Sequence, residues 1–405
     1  MKRNARCWPG PWTKNLRRAA SGTLWFALLA GLFIAGAPLA HGGQKARTDS
    51  RRADAIPVAE FSRMVREFSE EGGYFQADNF TSNETSYLHV VDKLRELGVS
   101  GGAYLGVGPE QNFTYIAKIR PRIAFMVDIR RQAILEHLLY KAIFHLAHDR
   151  AEFLSLLFSK PLSKNRAEAN GSIEDLLQYI FESPVSPRVY SENLTTIQKT
   201  IEEEFQIPLS ADDQESLRRS YYIFWRLNLR IGYGPGFPNL ADLIMETDLH
   251  GKLGNFLAVE ADYQFVRELQ EQNRVIPVVG DISGHKAVAT VADYLRKNGY
   301  TVSAFYTSNV EEYLYGDDLF GGFAENAAKL PIDEHSVIIR SVKGYLGPHP
   351  AYQPGERMMS LLEKFSVFLA DYKAGLVPDY WSLVTTHFIS GNELRKEVSA
   401  TPASR

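Results

Sequence analysis

The sequence predicts an α/β fold: a mostly parallel sheet flanked by helices and interrupted by a large helical insertion. From Gly98 onward, short apolar runs alternate with helical periods, which is the signature of successive βα units. Residues 160–255 break that rhythm with an all-helical pattern. The chain is long enough for such an architecture, with 405 residues of which 45% are hydrophobic and 23% charged.

Taken in order, residues 1–42 read as an export signal or an N-terminal membrane anchor. Lys2, Arg3, Arg6, Lys14, Arg17 and Arg18 all precede the first acidic residue, Asp49. Leu24 to Leu39 is an almost uncharged run, followed by the small residues Ala40, Gly42 and Gly43 as a cleavage site. That run is short for a bilayer span, and the two readings, cleaved leader and uncleaved anchor, both stand. Either places the remainder outside the cytoplasm, in the periplasm of a bacterium or beyond. Residues 43–57, with Lys45, Arg47, Arg51, Arg52 and Pro57, have no apolar period and read as a linker.

The folded domain is expected over 58–395, with 396–405 as a tail. Phe61, Met64, Val65 and Phe68 recur at helical spacing until Gly72 and Gly73 stop them. A polar stretch leads to a second helix over about 86–97. The first strand is expected at Gly102 to Leu105, followed by Gly106-Val107-Gly108-Pro109 and a helix from about Glu110 to Ile119. The second runs from Ile123 to Val127 and ends at Asp128, with one long helix from about Arg131 to Phe158 after it. Beyond the insertion come the helix Glu260 to Gln270, the strand Val275 to Val279 and the helix Lys286 to Asn298. The strand Thr301 to Tyr306, a helix near Gly321 to Leu330, the strand Ser336 to Ile339 and a helix near Arg357 to Tyr372 follow. Ser382 to Ile389 is a candidate last strand.

Charge and cysteine content remove several function classes. The net charge is −3, and loss of 1–42 would remove only basic residues, so nucleic acid is not an expected partner. The only cysteine, Cys7, lies in the leader, so the domain has neither a disulfide nor a thiolate metal site. His145 and His148 sit at helical spacing without a His-Glu-x-x-His frame, and no metal site is expected. Ser283-Gly284-His285 lacks the Gly-x-Ser-x-Gly elbow of a serine hydrolase.

In an open parallel sheet, ligands bind beyond the carboxyl ends of the strands, so the residues that end each strand are read together. After the first strand, Gly106 and Gly108 allow close approach of the backbone, and Glu110 opens the next helix as a cofactor-binding candidate, an acid placed to accept from a cationic amino group rather than to hold an anion. After the second comes Asp128, placed either to accept from a ribose diol or to cap the helix that follows. The later strands end in Asp281 and in Ser308-Asn309. Joint placement at four strand ends points to a pocket for a nucleoside-like small molecule.

This arrangement resembles the class I S-adenosylmethionine-dependent methyltransferases, a Rossmann-like fold, over about 87–135 and 262–390. The resemblance implies that Gly106 and Gly108 cradle the amino-acid part of S-adenosylmethionine, that Asp128 holds its ribose, and that Asp281 contacts adenine. It also implies that Asn309 stands on the substrate side, with Asn309 or Glu311 orienting the nucleophile. Ser82-Asn83-Glu84, Val278-Val279-Gly280-Asp281 and Ser308-Asn309-Val310-Glu311 look like phrases of an uncharacterised bacterial family with this fold. Asn83 and Glu84 would reach over the cofactor, with Phe75, Asn79 and Tyr87 in the same wall; the other reading of Ser82-Asn83 is a helix cap. Tyr306 and Tyr313 either line a substrate slot or pack at the sheet edge. Tyr104 stands where methyltransferases carry an acid, and Gln111 replaces the last glycine of Gly-x-Gly-x-x-Gly, which disfavours a nicotinamide oxidoreductase.

Two functions follow as expectations. One is an exported enzyme that transfers a methyl or related group from S-adenosylmethionine to an unknown acceptor. The alternative is a non-catalytic extracytoplasmic binding or interaction protein that keeps the pocket. The Gly232-Tyr233-Gly234-Pro235-Gly236 loop is either a lid over that pocket or a turn between helices.

Overall fold

A computed structural model describes residues 55–162, 171–344 and 349–391. The leader 1–42, most of the linker 43–57 and the tail 396–405 lie outside the described residues. Among those described, no helix is long and apolar enough to cross a membrane.

The strands are β1 (Ala103–Gly106), β2 (Ile123–Asp128), β3 (Val275–Val279), β4 (Val302–Ser308), β5 (Val337–Lys343), β6 (Met358–Lys364) and β7 (Ile389–Ser390). They form one seven-stranded sheet in the order β3-β2-β1-β4-β5-β6-β7. β1 to β5 are parallel, whereas β6 pairs antiparallel with β5 and β7 antiparallel with β6. The α/β class with a mostly parallel, Rossmann-like sheet is therefore the observed architecture. β1, β2 and β3 are buried throughout, apart from the half-buried Asp128, because helices cover both faces, as continuous apolar strands require.

Registry sets the strand ends level. Gly106 stands beside Met126 on one side and Tyr306 on the other, and Asp128 stands beside Val279. The chain steps outward from β1 to β2 and β3, then returns to lay β4 and β5 on the other flank. The order thus reverses between β1 and β4, which opens a crevice at their carboxyl ends.

The helical insertion lies between β2 and β3. It contains Ile173–Glu182, Pro187–Lys199, Ala211–Leu227 and the short Leu240–Ile244. Ser172, Ser210 and Asn239 each close a reciprocal capping box at a helix start, satisfying N–H groups that the helix leaves unpaired.

The structure departs from the sequence reading in five places, the first being the helix expected over about 86–97, which is a 3-10 turn, Thr85–Leu88, followed by a short helix, Val91–Glu96. The helix expected over 131–158 is two helices, Arg131–Leu146 and Arg150–Phe158, because Asp149 takes extended backbone and caps the second through the Glu152 amide. The segment after Arg357 begins as β6, paired along its length with β5, before the helix Phe365–Lys373. A helix at Val310–Gly316 follows β4 directly. Of the strand expected over 382–389, residues 382–385 belong to the helix Tyr380–Thr385, and the strand is only Ile389–Ser390.

Candidate functional site

A cavity of about 310 Å³ opens at the carboxyl edge of the sheet, over β1, β2, β3 and β4. Gly108, Asp128, Asp281, Asn309, Asn83 and Glu84 all line it. Strand-end residues from four separate βα units thus share one space, together with the segment that precedes β1. Gly106, Glu110 and Glu311 are not in its wall.

The loop after β1 is held by side chains beneath it. Asn112 donates to the carbonyls of Val107 (2.8 Å), Gly108 (3.1 Å) and Pro109 (2.8 Å) and accepts from the Tyr104 hydroxyl at 2.8 Å. A Cβ on Gly106 would lie 1.9 Å from the Asn112 Oδ1, so this glycine is needed for close packing under the loop. Gly108 has φ +78°, and open space where its Cβ would be, so backbone conformation sets its identity. His137 supports the same residue: its Nε2 lies 2.9 Å from the Gly108 carbonyl. Burial lowers the His137 pKa to about 4, so the ring is neutral and carries its proton on the nitrogen that faces the carbonyl.

Asp128 ends β2 and is bound by Arg130. The guanidinium donates from Nε to Oδ1 (3.0 Å) and from Nη2 to Oδ2 (2.8 Å), and the Arg130 amide also reaches Oδ1 at 2.9 Å. The Nη1 of Arg130 donates to the carbonyls of Ala77 and Asp78. This single guanidinium therefore fixes the 74–79 wall against the end of β2. Phe75 in that wall lies 5.8 Å below the Arg130 guanidinium and meets Tyr313 edge to face at 5.2 Å.

Asp281 ends β3. Its Oδ1 accepts from the Ser283 amide (2.8 Å) and hydroxyl (2.7 Å), which shapes the turn, while its Oδ2 accepts nothing from the described residues. Asn309 follows β4, one residue beyond Ser308, whose φ of 53° is a left-handed conformation that non-glycine residues seldom adopt.

Glu84 occupies the floor at the β1/β4 crevice and is 1% exposed. Its Oε1 accepts from the Ser308 hydroxyl at 2.5 Å and its Oε2 from the Gln111 amide at 3.0 Å. The same Gln111 nitrogen donates to the Tyr306 hydroxyl at 3.0 Å, and its carbonyl accepts from Ser82. Burial holds the Glu84 carboxyl above the ordinary carboxylate range. Glu110 turns inward beneath the loop: Oε1 accepts from the Ser82 amide, Oε2 has no partner among the described residues, and burial raises its pKa to about 7.

Glu311 lies away from the cavity, 0% exposed, with its carboxylate held by Arg340 Nε at 2.9 and 3.0 Å and by the Thr307 hydroxyl at 3.0 Å. The structure places it in a buried ion triad with Arg340 and Glu363, not beside Asn309 at the cavity. Of the further candidates, Phe75, Asn79, Tyr306 and Tyr313 line the cavity. Tyr87 is buried in the core and donates to the Leu243 carbonyl. The glycine-rich loop reaches the cavity through Tyr233, which lines it and donates to Asn79 Oδ1 at 2.6 Å. Gly236 and Phe237 of that loop are anchored by Arg357.

Sequence reasoning missed Arg130, Gln111 and His137. Arg130 carried a usable signal, a cation two residues after the acid that ends a strand. Gln111 was legible only as a missing glycine, and His137 carried none.

No curated protein matches the chain. A family model described as a domain of unknown function, DUF7790, matches residues 79–375, which span all of the strands except β7 and the cavity lining apart from residues 74–77. On that match over most of its length, the chain belongs to the DUF7790 family.

Proposed function

We propose that the chain binds a nucleoside-like small molecule at the switch-point cavity, with S-adenosylmethionine as the ligand of choice, and transfers a methyl or related group to an acceptor near Asn309. The observation that carries this reading is the convergence of Gly108, Asp128, Asp281 and Asn309 from four strand ends on one cavity. The volume lies at the lower end of the roughly 300–1,000 Å³ common for small-molecule sites.

The residues fit such a ligand. Among the described residues Asp128 Oδ2 accepts one hydrogen bond, from Arg130, and so keeps capacity for a diol. Asp281 Oδ2 is available to a base, and Phe75, Tyr306 and Tyr313 offer apolar faces. When bound, S-adenosylmethionine supplies an electrophilic methyl carbon on a sulfonium. The chain would contribute positioning, with Asn309 beside the acceptor and the Arg130-fixed wall excluding water.

A second reading, an extracytoplasmic binding protein without transfer chemistry, is favoured by one observation. Glu311 is committed to Arg340, so of the two residues expected to orient a nucleophile only Asn309 faces the cavity. Calorimetric titration of the full chain with S-adenosylmethionine, S-adenosylhomocysteine and NAD tests the ligand class. Micromolar binding of the first two and none of NAD is expected; no heat with any of the three would overturn the proposal. Group transfer is then read by product analysis with candidate acceptors.

A further inference from the structure

We propose that Glu84 is the specificity-determining residue of the cavity, selecting a ligand that carries a positive charge directed at the β1/β4 crevice. The inference rests on the nucleoside reading above and deepens it.

Three features carry it. First, Glu84 is 1% exposed yet lines the cavity, so a carboxyl shielded from solvent by protein borders the ligand space. Second, the groups that donate to it, Ser308 and Gln111 with the Tyr306 and Ser341 hydroxyls beside them, are all neutral, and no Lys, Arg or His among the described residues comes within ion-pair distance. Buried charges are ordinarily paired, because an uncompensated one is unfavourable in a low-dielectric setting. Third, the crevice is shaped for this carboxyl: Ser308 adopts its left-handed conformation where its hydroxyl meets Glu84. Such strain at the edge of a cavity is a mark of function.

The groups nearest Glu84 supply no charge to balance it, and the two cations that line the same cavity are held by other acids, Arg130 by Asp128 and Lys343 by Glu312. Glu110 from the following helix repels it, and Tyr104, Tyr115, Tyr306 and Tyr233 are neutral phenols within its electrostatic reach. Without ligand, burial favours the protonated acid. A ligand cation reverses this, stabilising the carboxylate and driving its proton into solvent, so cation affinity rises with pH.

The test compares the full chain with Glu84→Gln, an isostere that keeps hydrogen-bonding capacity toward Ser308 and Gln111. S-adenosylmethionine, adenosine as a nucleoside without cation, and spermidine as a cation without nucleoside are each titrated in two buffers of different ionisation enthalpy. The wild-type chain is expected to release a proton on binding S-adenosylmethionine. The variant is expected to bind it about 10-fold more weakly, with less proton release and unchanged affinity for adenosine. If a nucleoside binds and the variant leaves both affinity and proton release unaltered, or weakens adenosine equally, the inference fails while the nucleoside reading stands. Binding of spermidine alone, weakened in the variant, would uphold the inference and overturn the nucleoside reading. No binding by any probe would overturn both.

Discussion

Replacing Arg340 by Met tests whether Glu311 belongs to the framework. Arg340 lies in β5 between Glu311 and Glu363, and the three side chains are only 3%, 1% and 2% exposed. Methionine approximates the length and apolar stem of arginine, and the 5.2 Å stacking of the guanidinium on Phe368 is replaced by ordinary packing. What remains is two buried carboxyls without a counter-charge, and breaking a buried pair by removing one partner costs about 3–5 kcal/mol. Both carboxyls already lie above their usual range through burial, Glu363 at about 7, although Arg340 pulls each down. Without Arg340 both rise further. An acid whose folded pKa exceeds its unfolded value of about 4.3 binds protons more tightly in the folded state. Its stabilising contribution is complete below that unfolded value and is lost as pH climbs through the folded one. The deficit of Arg340→Met relative to wild type is therefore largest at pH 8 and smaller at pH 5.5. Adding Glu311→Gln and Glu363→Gln to the same chain should recover most of it. Urea unfolding at both pH values measures this. A deficit below about 1 kcal/mol at pH 8, or one that is independent of pH, would refute the reasoning.

Other perturbations separate framework from pocket. Gly106→Ala forces a Cβ against Asn112, which holds three carbonyls of the loop, and should cost about 1–3 kcal/mol in chemical denaturation while weakening any ligand of the cavity. Asp128→Ala strands the buried Arg130, so a loss of about 3 kcal/mol is expected together with new proteolytic cleavage near Tyr74; an unchanged melting temperature would show that the pair does not hold the wall. Lys141 is buried, donates to the Gln270 carbonyl, and has its pKa lowered to about 7. The folded chain thus binds fewer protons than the unfolded one between about pH 7 and 10.4, and wild-type stability rises with pH across that window. Lys141→Met should therefore stabilise by about 1–2 kcal/mol at pH 6 and by less at pH 9, as read by denaturation at both.

The parallel part of the sheet was legible because β1 to β5 are short apolar runs between helical periods, a pattern that local sequence alone sets. β6 was not, since Met358-Met359-Ser360-Leu361-Leu362-Glu363-Lys364 favours a helix by propensity, and only pairing with β5 makes it a strand. The break at Ala147–Asp149 was hidden in a similar way: an aspartate inside a helical period reads as a solvent-facing residue until its capping bond is seen. At the site, position along the strands was enough to bring Gly108, Asp128, Asp281 and Asn309 together. It could not reveal what each side chain had already bound. Asp128 belongs partly to Arg130 and Glu311 wholly to Arg340, and both partnerships depend on side-chain direction. Gln111 meets Glu84 across 27 positions of sequence, a contact that no local pattern encodes.

The position of the insertion bears on how the molecule is assembled. β2 and β3 are neighbours in the sheet, but the whole helical excursion separates them in the chain, and β3 occupies an edge. Pairing across so long a span forms slowly, since the entropy of closing the loop is spent before the contact returns any free energy. Asp281, at the tip of β3, and Tyr233, carried by the excursion itself, therefore join Asp128 and Asn79 only after that segment has found its place. The cavity is completed late in folding, so ligand binding during refolding would mark arrival at the native state, after most of the secondary structure has formed.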